Sequence, residues 1–227
     1  MNPDLLILCA TPVEVSHFLS LCPQTATRIN SCNYRILSGK IGSRSYDLVI
    51  TGAGVFNAVS AFCNYLAHAM PSLVINTGIA GGFKSAGCCI GDVAVATQEH
   101  YIHTGVRTER LKNQPLPFDL LPGHPRSREG IYPFDARQVE AVQARINQKE
   151  NVHDLHLKQG PFITVSAITN SLETAEQIYS AYDAPLMEAM EGAACAHVAA
   201  DRDIPFLEIR SVSNLAGERD PAKWDIP

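Results

Sequence analysis

The chain has 227 residues, of which 46% are hydrophobic and 18% are charged, and its formal net charge is −5. This length and apolar content predict one α/β domain, spanning residues 1–227, that buries a full core. The acidic balance argues against nucleic acid as the main partner, because binding phosphates requires a basic face. No stretch reaches about 18 uninterrupted apolar residues, so we expect no membrane partner.

The cysteines and the N-terminus indicate the compartment. The seven cysteines are an odd number, and several lie inside apolar runs, which is typical of reduced thiols in the cytoplasm. The N-terminus has no basic segment before an apolar core, so no signal peptide is expected. Cys88 and Cys89 lack CxxC spacing, and His100 and His103 lack a third ligand. We therefore expect a cytoplasmic protein without a metal.

The first half of the chain alternates apolar runs with amphipathic segments. Residues 5–10 form a continuous apolar run, which predicts a strand buried on both faces. Pro12 then predicts the start of a helix that carries Glu14. Further predicted elements are strands over 34–37 and 46–50, a tight turn over 52–54 and a helix over 57–69.

The second half continues the alternation around one long irregular stretch. Residues 103–130 contain four prolines and several arginines, and a loop of this length in a compact domain is usually functional or mobile. Alternating buried strands and helices predict an α/β fold with a mostly parallel or mixed sheet. The predicted strands cover 73–77, 92–98, 160–166 and 204–209, and the predicted helices cover 136–150, 173–182 and 192–200.

A glycine-rich turn is predicted at 78–82, directly after a buried strand. Small residues there let backbone amides approach a flat or anionic ligand closely, although a packing role alone is the alternative. Glu14 and Asn214 also follow predicted strand ends, where ligands bind in open α/β sheets. A structural role alone is the alternative for Glu14, because a carboxylate in the first turn of a helix is stabilised by the helix dipole. We expect these side chains to converge with the backbone of Ile79, Ala80 and Gly81.

Glu191 is the strongest single candidate for a functional acid. It opens a predicted helix of small residues, which packs closely, and a carboxylate in such a place is rarely left unpaired. Hydroxyl groups of a bound ligand would provide partners. The alternative is an internal salt bridge, for example with Arg210.

Four segments carry a resemblance that covers nearly the whole chain. In the same order along the chain, they resemble the nucleoside phosphorylase/nucleosidase superfamily. The resemblance implies a three-layer α/β/α sandwich with a mixed central sheet. It also implies a small-molecule nucleoside substrate, no cofactor and a homo-oligomer. The segments are 10–14, 76–82, 190–194 and 209–214.

The resemblance also implies roles for particular residues. Glu14 resembles the acid that activates the attacking water in the nucleosidase branch. Glu191 resembles the carboxylate that binds the ribose hydroxyls, with the backbone of Met190 beside it. The remaining residues expected to contact substrate are Ala167, Ile168 and Thr169, which pack on the base, together with Ser213.

Asn214 departs from the adenine-specific nucleosidases, which carry an aspartate at this position. An amide can donate to the acceptors of a 6-oxopurine, whereas an ionised carboxylate repels them. The segment over 215–221, with Trp224, is similar to the futalosine-hydrolysing members of the superfamily. This resemblance implies hydrolysis of futalosine, releasing hypoxanthine, in menaquinone biosynthesis. Futalosine carries an aromatic carboxylate on its 5′ side, and Arg107 is the first candidate to bind it.

Other activities remain open at this point. The chain could release adenine from methylthioadenosine or S-adenosylhomocysteine, or act as a purine nucleoside phosphorylase. A phosphorylase needs convergent basic groups for phosphate, and the available ones are not in a recognisable phosphate loop. A non-enzymatic alternative is a purine-nucleoside binding protein, which would have no need for Glu14. The basic residues available for phosphate binding in a phosphorylase are Arg28, Arg35, Arg44 and Lys84.

Overall fold

The computed structural model describes residues 2–22, 24–29, 33–148 and 157–226. Within these ranges the chain forms one mixed sheet of ten strands and five α-helices. The strands are β1 (Leu5–Cys9), β2 (Gln24–Ile29), β3 (Arg35–Ile41), β4 (Arg44–Ile50), β5 (Leu73–Gly82), β6 (Val93–Tyr101), β7 (Ile131–Pro133), β8 (Leu157–Thr164), β9 (Met187–Ala189) and β10 (Phe206–Leu215). The helices are α1 (Ser16–Leu21), α2 (Val55–Leu66), α3 (Ala136–Asn147), α4 (Leu172–Ala181) and α5 (Gly192–Asp201).

Helices cover both faces of the sheet. Leu6 and Leu8 of β1 pack with α2 and α5 on one face. Ile7 and Cys9, which point the other way along the same strand, pack with the segment that leads into α1. Helix α3 lies on this second face, where Val139 joins the apolar side chains of β6 and β10. This three-layer arrangement with a mixed central sheet confirms the predicted fold class.

Half of the sheet closes on itself. The strand order is β2-β3-β4-β1-β5-β9-β8-β6-β10, and β10 pairs with β5 as well as with β6. The strands β5, β9, β8, β6 and β10 therefore form a ring, with β7 added beside β6. Small and apolar residues from all five strands pack together. The ring therefore has a filled interior, as expected for a small barrel.

Two predicted strand ends are wrong in the same way. The glycine-rich segment at 78–82 is part of β5, and the segment from Arg210 to Asn214 is part of β10. The two strands pair in parallel from Phe206 and Val74 to Leu215 and Gly82, with one shift of register between Val212 and Asn214. Continuous pairing with a neighbour extends both strands beyond the point where local sequence predicts their end.

Other differences are local. The predicted helix at Pro12 begins as a 3-10 turn, Val13–Val15, before α1 starts. Strand β2 was not predicted, because all of its residues are exposed and it has no apolar pattern. Of the predicted helix over 136–150, the structure shows α3 as far as Asn147, and positions 149–150 lie outside the described residues. The long loop remains largely irregular, apart from a 3-10 turn at Pro125–Glu129. Among the described helices, none is long and apolar enough to cross a membrane.

Candidate active site

Strands β1, β5 and β10 are parallel neighbours, and β1 ends beside the middle of β5, after the pair Leu8 and Asn76, while β5 and β10 continue to Gly82 and Leu215. Glu14 lies in the 3-10 turn that follows β1. A cavity of about 300 Å³ opens there. Its lining includes Glu14, Thr77, Gly78, Ile79 and Arg210. The predicted convergence of Glu14 with the end of β5 is therefore present.

Glu14 is held by backbone and hydroxyl donors. Its Oε2 accepts hydrogen bonds from the backbone N–H of Thr11 at 2.7 Å and from the Thr11 hydroxyl at 3.1 Å. Its Oε1 accepts from the backbone N–H of Ile79 at 3.3 Å. A Cβ on Gly78 would lie 2.6 Å from that Oε1. Glycine at this position is therefore required for the close approach of Glu14 to β5.

Arg210 is the centre of the buried polar network. Its side chain is 1% exposed, and its guanidinium donates to Glu208 at 2.6 Å, to the backbone carbonyl of Ile79 at 3.1 Å and to Asn76 at 2.7 Å. Burial alone lowers the pKa of this guanidinium, but Glu208 and Glu191 raise it above its ordinary value. Arg210 therefore remains a cation at any physiological pH.

Glu191 lies at the N-cap of α5 and is 5% exposed. Its Oε1 accepts from the backbone N–H of Gly54 at 2.9 Å, and its Oε2 accepts from Arg210 at 3.2 Å. The alternative of an internal salt bridge with Arg210 is thus present in the structure. A carboxylate offers about four acceptor sites, so two remain for ligand hydroxyls. The salt bridge and a ligand-binding role are compatible.

Asn214 and Ser213 lie near the end of β10. The Ser213 hydroxyl donates to Asn214 Oδ1 at 2.9 Å and to the Ala80 carbonyl at 3.4 Å. Asn214 Nδ2 donates to the carbonyl of Leu215 at 2.9 Å. One N–H of the amide is left for another acceptor. In the sheet, Asn214 is paired with Gly81, so both lie at the same level as the end of β5.

A second cavity, of about 400 Å³, holds another group of predicted residues. Ile168, Thr169 and Arg107 line it, together with Ala167 and Arg110. None of the described residues that line this cavity also lines the Glu14 cavity. The structure therefore brings Arg107 to the predicted base-packing segment, and does not bring it to Glu14.

Burial affects the hydrogen bonds and the pKa values of polar groups at and near this second cavity. Thr169 donates to buried Glu188 through both its backbone N–H and its hydroxyl. Burial raises the pKa of the Glu188 carboxyl, an effect that the bonds from Thr169 oppose. Burial, and then the charge of Arg107, lowers the pKa of His103. Met190 is half-buried beside the cluster that contains Ile178.

The sequence pattern did not reveal three buried charged residues. Arg210 appeared only as a possible partner of Glu191, and Glu99 and Glu208 were assigned no role. All three are nearly or fully buried. The available signal was a charged residue at 208 and another at 210 inside an apolar strand, since charges are almost never fully buried unless paired.

The fold and the cavity beside Glu14 describe an α/β protein with a polar cavity on the carboxyl side of its parallel strands. A family model described as the phosphorylase superfamily matches residues 4–226, and the chain belongs to that superfamily. This confirms the family-level resemblance noted in the sequence. It leaves the particular substrate open.

The similar proteins include two kinds of nucleosidase. A 5′-methylthioadenosine/S-adenosylhomocysteine nucleosidase of Exiguobacterium is 28% identical, over 85% of this chain and 77% of that protein. A futalosine hydrolase of Acidothermus cellulolyticus is 32% identical, over 80% of this chain and 69% of that protein.

Solved structures show the same fold. The 5′-methylthioadenosine/S-adenosylhomocysteine nucleosidase of Neisseria meningitidis, in complex with methylthio-immucillin-A, aligns with a TM-score of 0.80 at 22% identity. The alignment covers 97% of this chain and 90% of that one.

Proposed function

We propose that this chain is a nucleosidase, which hydrolyses the N-glycosidic bond of a purine nucleoside. The observation that carries the proposal is the connection of two carboxylates through one buried arginine. Glu14 accepts from the backbone N–H of Ile79, whose carbonyl accepts from Arg210, and Arg210 binds Glu191. An acid beside an open cavity and a second, fixed acid are what hydrolysis with ribose anchoring requires.

Glu14 is the proposed general base. A water molecule in the Glu14 cavity would lose a proton to the carboxylate while its oxygen bonds to the anomeric carbon of the ribose. The glycosidic C–N bond breaks, and its electron pair leaves with the base. The donors from Thr11 and Ile79 hold the carboxylate in place for this step.

Glu191 is the proposed ribose anchor. Its two free acceptor sites suit two neighbouring hydroxyls, and its negative charge stabilises the positive charge that develops on the ribose. Arg210 and the backbone N–H of Gly54 keep it oriented. The departing base takes up a proton from solvent water, because Asn214 is an amide and cannot act as an acid, and Glu14 later returns its proton to solvent.

The comparisons favour an adenine nucleoside as the substrate. Three of the curated relatives are 5′-methylthioadenosine/S-adenosylhomocysteine nucleosidases, at 24–28% identity. The solved structures with this fold also include enzymes of that name bound to adenine. Methylthioadenosine and S-adenosylhomocysteine are therefore the substrates that most of the similar proteins support.

Futalosine is the second candidate, and Asn214 is the observation that favours it. Its free N–H donates to the 6-oxo group or N7 of hypoxanthine, both of which are acceptors, whereas the amino group of adenine is a donor. The futalosine hydrolase relative, at 32% identity, supports this candidate. Arg107, beside Ile168 and Thr169, is the proposed partner of the aromatic carboxylate of futalosine.

A substrate panel tests these proposals. Purified protein is incubated with futalosine, aminofutalosine, methylthioadenosine and inosine, each with and without phosphate, and released base is measured by chromatography. We expect base release that does not depend on phosphate. A preference for methylthioadenosine supports the first candidate, and a preference for futalosine supports the second.

The panel also identifies the competing activities. Phosphate-dependent turnover with formation of a ribose phosphate would identify a phosphorylase and contradict the proposal. Tight binding of a nucleoside by calorimetry, with no base released over hours, would identify a binding protein. Both outcomes remove the role proposed for Glu14 as a base toward water.

A further inference from the structure

The buried network around Arg210 includes two carboxyl groups that the proposed reaction does not use. Glu99 is on β6 and Glu208 is on β10, and both residues are 0% exposed. Glu208 Oε1 accepts from Arg210 at 2.6 Å, and Glu99 Oε2 accepts from the Thr164 hydroxyl at 2.7 Å. Each carboxyl group therefore has one oxygen held by a donor.

The other two oxygens lack a donor within the part of the chain that the structure describes. Among the described residues, no group donates to Glu99 Oε1 or to Glu208 Oε2. A Cβ added to Gly192, at the first position of α5, would collide with both of these oxygens. They therefore lie at the same point beneath the helix and face each other. Both residues are shielded from solvent, so two ionised carboxylates in this geometry would repel strongly.

The charge balance of the cluster also argues against the ionisation of all its carboxyl groups. Three carboxyl groups, those of Glu99, Glu208 and Glu191, surround one cation, Arg210. With all of them ionised, a buried site would hold two uncompensated negative charges, which is very costly in a low dielectric. A proton on one carboxyl group removes one of these charges and supplies the missing hydrogen bond.

We infer that Glu99 and Glu208 share one proton and act as positioning residues for Arg210 and, through it, for Glu191. The proton on Glu99 Oε1 donates to Glu208 Oε2, while Glu208 Oε1 accepts from the guanidinium of Arg210. The kinetic consequence of this inference rests on the proposed nucleosidase function. The protonation itself does not.

The surroundings of the pair support the assignment of the proton to Glu99. Burial, and then the charge of Glu208, raises the pKa of the Glu99 carboxyl well above its ordinary value. The charged and titratable groups that face the pair are Arg210 on β10, Glu191 at the N-cap of α5 and Cys195 on α5. Burial, and then Glu208, raises the pKa of the Cys195 thiol, so it stays neutral.

Infrared spectroscopy of the intact protein tests the shared proton directly. We expect a carboxylic-acid C=O stretch at neutral pH in the wild type, which shifts when water is replaced by D2O. The band should disappear in Glu99→Gln, because the amide donates to Glu208 without an acidic proton, and it should shift in frequency in Glu208→Gln, where the buried Glu99 loses its carboxylate partner. Glu140→Gln, on the exposed side of α3, is the matched control and should keep the band.

Two results would overturn the shared proton. One is the absence of any carboxylic-acid band in the wild type at neutral pH. The other is a band that survives in Glu99→Gln and disappears in Glu188→Gln, since Glu188 is another buried carboxyl group with a raised pKa. Neither result depends on whether the protein hydrolyses a nucleoside.

The positioning role is tested by rescue. Glu99→Leu removes the donor to Glu208 and should lower kcat/KM for the preferred nucleoside by up to about 100-fold, as small displacements of catalytic groups do. Glu99→Gln keeps a donor toward Glu208 and should restore most of the activity. In the wild type, rising pH that removes the shared proton should lower kcat/KM. Glu99→Gln has no such proton, so this loss at high pH should be absent in the variant. Equal losses in both variants, at equal content of folded protein, would contradict the positioning role.

Discussion

Arg210 connects segments that lie far apart in the sequence. It binds Asn76 on β5, the Ile79 carbonyl and Glu191 at the start of α5, all from within β10. A buried arginine with this many partners fixes their geometry, because moving any one of them leaves a buried polar group unpaired. Glu14 and Glu191 therefore belong to one rigid network.

The role of Glu14 gives the first prediction. Glu14→Gln keeps an oxygen for the Thr11 donors and removes the basic group, so kcat should fall by about 10²–10⁴-fold with little change in KM. Steady-state kinetics on the preferred nucleoside measures this. Glu140→Gln makes the same chemical change on the exposed side of α3 and should have no effect. Near-wild-type turnover by Glu14→Gln would remove Glu14 from the mechanism.

Base selection by Asn214 gives the second prediction. Asn214→Asp should lower the ratio of kcat/KM for futalosine over aminofutalosine, because a carboxylate facing the 6-oxo group pairs acceptor with acceptor. The ceiling for such discrimination is about 10⁴-fold, and we expect less, since the carboxylate can take up a proton.

The control for Asn214→Asp is Asn2→Asp, at an exposed residue near the start of the chain. A changed stability with an unchanged ratio would mean that Asn214 only caps the end of β10. In that case the main reason to prefer hypoxanthine over adenine would be lost.

At the scale of elements, α5 is built to lie directly on the sheet. Seven of its ten residues are buried, and nearly all of them are small. The backbone N–H of Ala193 donates to the Thr164 hydroxyl at 2.8 Å, which ties the first turn to β8. Small residues at the interface let the helix N-terminus approach the buried Glu99 and Glu208.

Gly192 gives the third prediction. Alanine is favoured over glycine in a helix by about 1 kcal/mol, so Gly192→Ala would ordinarily stabilise α5. Here its Cβ would collide with both buried carboxyl groups, and overpacking of this kind costs about 1–3 kcal/mol. We expect a lower urea midpoint with an unchanged m-value. A higher midpoint would show that the carboxyl pair moves aside without cost.

At the scale of the whole molecule, the buried His100 links the free energy of unfolding to pH. His100 is 4% exposed and packs edge-on against the ring of Tyr182. Burial, with Lys112 nearby, lowers the pKa of His100 from 6.5 to about 4. Between these values the unfolded chain binds a proton that the folded protein does not. The contribution of His100 to stability is therefore present above about pH 6.5 and is lost as the pH falls toward 4.

The fourth prediction measures this linkage. In the wild type, the free energy of unfolding should rise between pH 4 and pH 6.5, with up to about 3 kcal/mol due to His100. His100→Gln does not titrate and should show a shallower rise in urea denaturation across this range. His17→Gln, at an exposed residue of α1, is the control. Identical pH slopes in the wild type and His100→Gln would contradict the role of His100.

The sequence alone determined the fold class, and it singled out Glu14 and Glu191 as candidate acids, whose roles remain predictions. Local patterns sufficed for this: buried strands appear as apolar runs, and an acid at the start of a small-residue helix is conspicuous because burying it is costly. The superfamily followed from short segments that keep their order along the chain, and the family match confirms it. Substrate choice at Asn214 remains a prediction from the chemistry of the amide.

Only the tertiary structure decided how these residues are connected. Strands β5 and β10 extend through the predicted turns because they pair with each other there. The ring that β10 closes brings Glu99 within reach of Glu208. Arg107 lines one cavity with Ile168, and Glu14 lines another. Contacts between residues about a hundred positions apart depend on strand order and closure of the sheet, which no local pattern of residues records.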